Sequence, residues 1–245
     1  MGTAMFAALT RAGYDVSGPL GRGADGTGAD GTGADGAGAD GAGADAVLLC
    51  VPDAEIAGAA AHIAPGPLVG HCSGATGLDA LTPHEAFSLH PLMTVTAQGA
   101  DFAGAGAAIA GGTPSALGFV RELAHALGMR PVEIAEADRA AYHAAASIAS
   151  NFLITLEAAA ERVAGAAGLK REQLVPLVRA TVENWARLGP ERALTGPVAR
   201  GDDATVMRQR AAVEEVAADL LPLFDALVDA TRALAAGHDR EVQPA

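Results

Sequence analysis

The sequence predicts an α/β domain with a mostly parallel sheet, followed by an all-helical domain, and three observations carry that prediction. Up to about residue 135, short apolar runs bounded by Gly, Pro and Asp alternate with helical patterns. Strands that alternate with helices pack as a parallel sheet with both faces covered. Beyond that point the strand signals stop and every periodic segment reads as helix. The chain has 245 residues, half of them hydrophobic, which is enough to bury a core in each part. The predicted domains are 1–134 and 135–245.

Taken in order, residues 2–12 form a helix striped by Met5, Phe6 and Leu9 and capped by Gly13, and 14–17 (YDVS) resemble a strand. Residues 46–51 (AVLLCV) are a continuous apolar run, as in a buried parallel strand. Pro52 and Asp53 end it, and 54–63 are helical. Further strands are read at 67–71, 87–89, 107–110 and 130–134, with a helix over 114–127 closed by Gly128. In the second half, 138–167 is one long helix with Gly168 as its C-cap. Residues 171–188 form a second helix, which Pro176 is expected to kink. A Gly- and Pro-bearing loop spans 188–201. Asp202 is placed as the N-cap of a helix to about residue 218, and 220–236 complete the set before a polar, frayed tail.

Between residues 23 and 45 the chain repeats Gly-Ala-Asp-Gly-Thr/Ala with a five-residue period. Alanine is its largest apolar side chain, so the segment reads as a flexible insertion. A calcium-binding solenoid is disfavoured, because such repeats have a nine-residue period and a bulky apolar residue to stack inside.

The formal net charge is −13, and five of the acids belong to that repeat. A nucleic-acid binder needs a basic face, so that class is excluded. No apolar run is long enough to span a bilayer, and no secretory leader is legible, which points to the cytosol. Cys50 and Cys72 cannot make a disulfide framework, and neither sits in a CxxC pair.

The first half is compared with a doubly wound nucleotide fold, in which a strand and a G-x-G-x-x-G turn precede the first helix. Gly2 occupies the place of the last glycine, so the chain looks truncated at its start. An arginine after the second strand accommodates the 2′-phosphate of NADP, and Arg22 stands there with no acid before the repeat. That tilts the cofactor towards NADP, with NAD possible. The competing reading of Arg22 is a solvated loop residue.

Six motifs then fall in order: VPD (51–53), HCSG (71–74), SLHPL (88–92), DRAAYHAAASIASN (138–151), RATVEN (179–184) and GPERALTGPVARGD (189–202). Together they resemble a family of bacterial Rossmann-like proteins that carry a C-terminal domain of unknown function, number 2520. The resemblance runs from Gly2 to about residue 236 and omits the repeat. The wider group is similar to 6-phosphogluconate, 3-hydroxyacid and pyrroline-5-carboxylate dehydrogenases and reductases. It implies a nicotinamide at the carboxyl edge of the sheet, near Gly2, Val51, Pro52 and Ser73. It also implies a helical domain that supplies the substrate pocket and the contact of a homodimer.

Carbonyl reduction by NADPH needs a proton donor and anchors for the substrate. His143, Ser147 and Asn151 recur at four-residue spacing on one helix face, with His143 as the donor and Asn151 beside it. The bland alternative is a polar stripe satisfied between helices. Ser73 follows a strand and serves as a further catalytic or cofactor-binding candidate; the nucleophile elbow G-x-S-x-G is absent. His90 is read as substrate-binding and near Ser73. Arg200, in a tight loop with Thr195, is read as a two-pronged clamp for a carboxylate. No metal site is expected, since His71, His90 and His143 lack an HxxxH pair or a carboxylate cluster. Glu183 either faces the pocket with Asn184 or pairs with Arg179 or Arg187. The leading function is an NADP-dependent oxidoreductase of a small oxo or hydroxy acid. The alternatives are a nucleotide- or metabolite-binding dimeric sensor and an inactive dehydrogenase remnant.

Overall fold

The computed structural model describes residues 1–20, 40–96 and 99–242. Arg22 and repeat residues 23–39 lie outside the described residues. The contacts divide the chain into two compact units, Met1–Ser150 and Asn151–Ala245.

In the first unit, α1 (Gly2–Arg11) precedes a five-stranded sheet of β1 (Ala46–Leu49), β2 (Leu68–His71), β3 (Ala86–Leu92), β4 (Gly106–Gly111) and β5 (Arg130–Glu133). The strands lie side by side in chain order. β1, β2 and β3 are parallel, with Leu49 opposite His71 and His71 opposite Ser88. β4 returns antiparallel to β3, and β5 runs parallel to β4. The link from β3 to β4 carries no helix, and a parallel neighbour needs a crossover, so the chain turns back on itself there. The helix α2 (Ile56–Ala60) follows β1, and α3 (Pro114–Ala126) carries the chain from β4 to β5. Thr113 caps α3, its Oγ1 accepting from Ala116 N–H at 3.1 Å.

The two faces of the sheet bury different sets. Met5 and Ala8 of α1, with Val120 and Leu123 of α3, pack over Phe87, Leu89, Ala107 and Ile109. On the other face Ile56 and Ala60 of α2 cover Val69, Leu81 and Ala86. Gly70 is dictated by this packing, because a Cβ there would lie 2.3 Å from the Phe87 ring. Phe87 in turn meets Phe119 edge-on, with centroids 5.3 Å apart.

Four readings are corrected. Residues 14–17 are not a strand: nothing among the described residues pairs with them, and β1 is bonded only to β2. The repeat is not loose to its end. Asp40 C=O accepts from Ala64 N–H at 2.7 Å, and Gly41, at φ +74°, is buried where a Cβ would lie 2.6 Å from Val47 Cγ2. The long helix of 138–167 runs unbroken over 139–166, but its hydrogen-bond register shifts at a π turn (Ile148–Phe152) between α4 (Arg139–Ser147) and α5 (Leu153–Ala166). The last helix, α9 (Leu221–Val242), runs past Gly237, where a frayed tail was expected to begin.

The second unit comprises α5, α6 (Arg171–Leu188), α7 (Pro190–Ala193), α8 (Asp203–Ala217) and α9. Asp202 caps α8 through Oδ1, which accepts from Thr205 N–H at 3.0 Å. Two-pronged ion pairs tie the helices: Arg162 to Asp219 at 2.7 and 2.8 Å, and Arg210 to Asp225 at 2.8 and 2.9 Å. Buried hydrophobic residues are few, namely Val206, Val213, Ala217 and Val228. Ile154, Leu177, Trp185 and Met207 are each more than half exposed.

Candidate active site at the carboxyl edge of the sheet

Three elements of the first unit bring polar side chains together. β2 ends in the turn His71-Cys72-Ser73-Gly74, β3 supplies Ser88 and His90, and α4 supplies Arg139, Tyr142 and His143. The last three are spaced i, i+3, i+4 and therefore share one helix face.

His71 is fully buried; its Nδ1 accepts from Ser73 N–H at 3.2 Å, and its Nε2 lies 3.3 Å from Gly77 C=O. An accepting Nδ1 leaves the proton on Nε2, which donates to that carbonyl, so the ring is held neutral. Burial, followed by the charge of Arg139, pushes its pKa down against the opposing hydrogen bond to Gly77. Ser73 Oγ accepts from Ala75 N–H at 3.1 Å and from Thr76 N–H at 2.9 Å. Its hydroxyl proton is thus the one group it has left to donate outward.

His90 Nδ1 and the Tyr142 hydroxyl are hydrogen-bonded at 2.6 Å, and their rings meet edge-on at 5.7 Å. The His143 ring stands 6.1 Å from that of His90. Gly74 makes this possible: a Cβ there would lie 2.8 Å from both His143 Cδ2 and His90 Cε1. Burial lowers the His90 pKa, and a charge on His143 lowers it further. Burial raises the Tyr142 phenol to about 12, so it keeps its proton at neutral pH. Arg139 is buried beneath the cluster, donating to Ser88 Oγ at 3.3 Å and to Glu136 Oε2 at 3.1 Å. The arrangement presents two imidazoles, a phenol and a serine O–H around one glycine, with a fixed positive charge behind them. Such a set can donate a proton to oxygen or nitrogen and stabilise developing negative charge.

The sequence reading named Ser73, His90 and His143, and the fold gathers these three. It missed Arg139 and Tyr142, which share a helix face with His143 but whose facing towards β3 no sequence pattern shows. Ser147 lies on α4 one turn beyond His143, half-buried. Asn151 falls within the π turn and belongs to the second unit, so the α-helical spacing that tied it to His143 does not continue to it. Thr195 and Arg200 are exposed residues of the second unit, and Arg200 N–H donates to Gly196 C=O at 3.3 Å. Among the described residues no ion pair joins Glu183 to Arg179 or Arg187, and Arg187 donates to Asn184 Oδ1 at 3.1 Å. Gly2 opens α1 at the end of β1, where a Cβ would lie 3.5 Å from Cys50 Cβ. Val51 and Pro52 follow β1 in a bend beyond its carboxyl end. Two clefts of the first unit, of about 410 and 890 Å³, are lined by other residues. Among the described residues no three His, Cys, Asp or Glu side chains form a metal-ligand set, and no helix is long and apolar enough to cross a membrane.

The sequence pattern of DUF2520, a domain of unknown function, matches residues 105–231, just over half of the chain. The chain belongs to the DUF2520 family. No curated protein matches it. Among solved structures, this DUF2520 chain is similar to protein TM1727 from Thermotoga maritima, with 28% identity, a TM-score of 0.70, and 78% and 79% of the two chains covered. It is also similar to the Streptomyces aurantiacus imine reductase, at 17% identity and TM-score 0.64 over 96% and 91% of the chains. A reductive aminase from Aspergillus terreus, solved with NADPH4, cyclohexanone and allyl amine, aligns at 16% identity and TM-score 0.63 over 97% and 91%. The DUF2520 chain thus has the fold of these solved structures, a mostly parallel Rossmann-like sheet followed by a helical region.

Proposed function

We propose that this DUF2520 protein is an NADP-dependent oxidoreductase of a small oxo or hydroxy acid or a related metabolite, working as a homodimer through its helical unit. The observation that carries the reading is the cluster of His90, Tyr142 and His143 around Gly74 at the carboxyl edge of the sheet, where such folds bind ligands. In this reading His143 gives a proton to the oxygen or nitrogen of the substrate. His90, steadied by Tyr142, and the Ser73 hydroxyl orient that atom, and Arg139 favours negative charge on it. Burial, with the charges of His143 and Arg139, disfavours protonation of His90 and keeps its ring a neutral partner. Ser147 is a proposed substrate anchor beside His143. Asn151 is a proposed catalytic residue of the helical unit, and Thr195 and Arg200 are proposed substrate-binding residues of that unit.

The nicotinamide, when bound, supplies or takes the hydride. Val51, Pro52 and Ser73 stand where it would be held. Fluorescence titration is expected to show saturable NADPH binding by the chain, and its absence contradicts this placement.

The test of the reading is NADPH oxidation by the protein over a panel of oxo acids, hydroxy acids and imines. With a substrate in hand, His143→Gln is expected to lower kcat by roughly 10²–10⁴-fold with NADPH affinity retained. Arg200→Lys is expected to raise KM most. Full turnover in His143→Gln removes the acid role. Tight NADPH binding without turnover on any panel member supports a metabolite sensor instead.

A further inference from the structure

The two cysteines of the chain stand 22 residues apart in sequence, and no motif joins them. The sheet does. Leu49 of β1 is the register partner of His71 of β2, and Cys50 and Cys72 each follow one step later. The ladder continues to this point, with Cys72 N–H donating to Leu49 C=O at 3.3 Å. The two Sγ atoms are consequently 3.6 Å apart, and both residues are half-buried rather than sealed in the core. Neighbouring strands run about 4.8 Å apart, inside the range of roughly 4.4–6.8 Å between Cα atoms that a disulfide accepts. Closing a disulfide requires the sulfurs to move from 3.6 Å to about 2.05 Å apart.

We propose that Cys50 and Cys72 are a reversible two-electron redox pair at the carboxyl edge of the sheet, closed to an intrachain disulfide by a hydroperoxide and reopened by a dithiol. The pair is asymmetric in a way that assigns the roles. A hydrogen bond from Cys72 favours the thiolate of Cys50, while that same bond and burial hold the Cys72 thiol protonated. Cys50 sulfur attacks the peroxide O–O bond, becomes a sulfenic acid and releases an alcohol or, from hydrogen peroxide, water. Cys72 sulfur then attacks the Cys50 sulfur, the S–S bond forms and water leaves with the Cys72 proton. In sum, two thiols and one hydroperoxide give one disulfide, one alcohol or water, and one further water. The bond would pin the ends of β1 and β2 together beside Gly2, whose Cβ position lies 3.5 Å from Cys50 Cβ.

The experiment treats the full chain with one equivalent of hydrogen peroxide, counts free thiols, and maps peptides without reduction. The expected result is loss of both thiols together, a Cys50–Cys72 cross-linked peptide in monomeric protein, and recovery of both thiols with dithiothreitol. Cys72→Ser is expected to stop at a sulfenic acid on Cys50 that dimedone traps. Cys50→Ser is expected to leave Cys72 reacting at least about tenfold more slowly than the native pair. Both variants replace a half-buried thiol with a near-isosteric hydroxyl, and circular dichroism checks that the fold is kept. A thiol count that stays at two, a Cys72 that reacts at the native rate in Cys50→Ser, or a disulfide found only between chains overturns the proposal.

Discussion

The absence of a side chain at residue 74 lets two imidazoles converge on one point. Gly74→Ala puts a methyl group 2.8 Å from each ring, so His90 and His143 must separate. The expected cost is about 1–3 kcal/mol of stability, as for other overpacked sites. Changed ring resonances of both histidines in NMR spectra check it, and unchanged resonances would contradict the packing. The neutral histidines make a second prediction. Burial lowers the pKa of His71 and of His90 below the free value of 6.5. The unfolded chain therefore takes up protons that the fold excludes, so stability is fully present above about pH 6.5 and declines as the pH falls below it. Urea unfolding at a series of pH values measures this, and His71→Gln is expected to flatten the slope. At this scale the sequence revealed polar residues but not their partners. His143 was legible from its helical spacing. Arg139 and Tyr142 were not, because an alanine-rich helix has no apolar stripe to show which side meets the sheet. The thiol pair needed the register of β1 against β2, which no local pattern encodes.

Among the elements, β1 was legible because residues 46–51 are a short apolar run closed by Pro52, the composition of a buried parallel strand. Residues 14–17 have the right residue types and still form no strand, since pairing depends on a partner. The π turn at Ile148–Phe152 was hidden for a different reason: it is a change of hydrogen-bond register with no residue type of its own. The helices of the second unit give a prediction at this scale. Leu177 and Trp185 of α6 are 66% and 57% exposed, and α5 and α6 contain no buried residue. Apolar surface of that kind marks an interaction face. Light scattering is expected to give twice the 24.3 kDa chain mass, and Leu177→Glu with Trp185→Glu is expected to return it to the single-chain value. A native protein that is already monomeric would remove the proposed dimer.

For the whole molecule, the reading of an α/β unit followed by a helical one was legible because the periodicity of the sequence changes near residue 135. The compact first unit nevertheless runs to Ser150. It keeps α4, whose Arg139 and Tyr142 are bound to β3. Periodicity reports where strands stop, and packing decides which unit a helix joins.

The repeat acquires a meaning from the way its last copy is held. Asp40 through Asp45 read DGAGAD, with Gly41 seated against Val47, and residues 35–40 spell the same six letters. If replication slippage adds or removes one five-residue unit, the copy next to β1 is chemically indistinguishable from the one it replaced. The seat against Val47 is refilled by an identical glycine, and only the length of chain before it changes. Loop closure is weakly sensitive to length, about 0.6 kcal/mol for each doubling. A protein lacking residues 36–40 is therefore expected to melt at the same temperature as the parent. The gene can vary in length at this point while the folded unit it encodes stays the same.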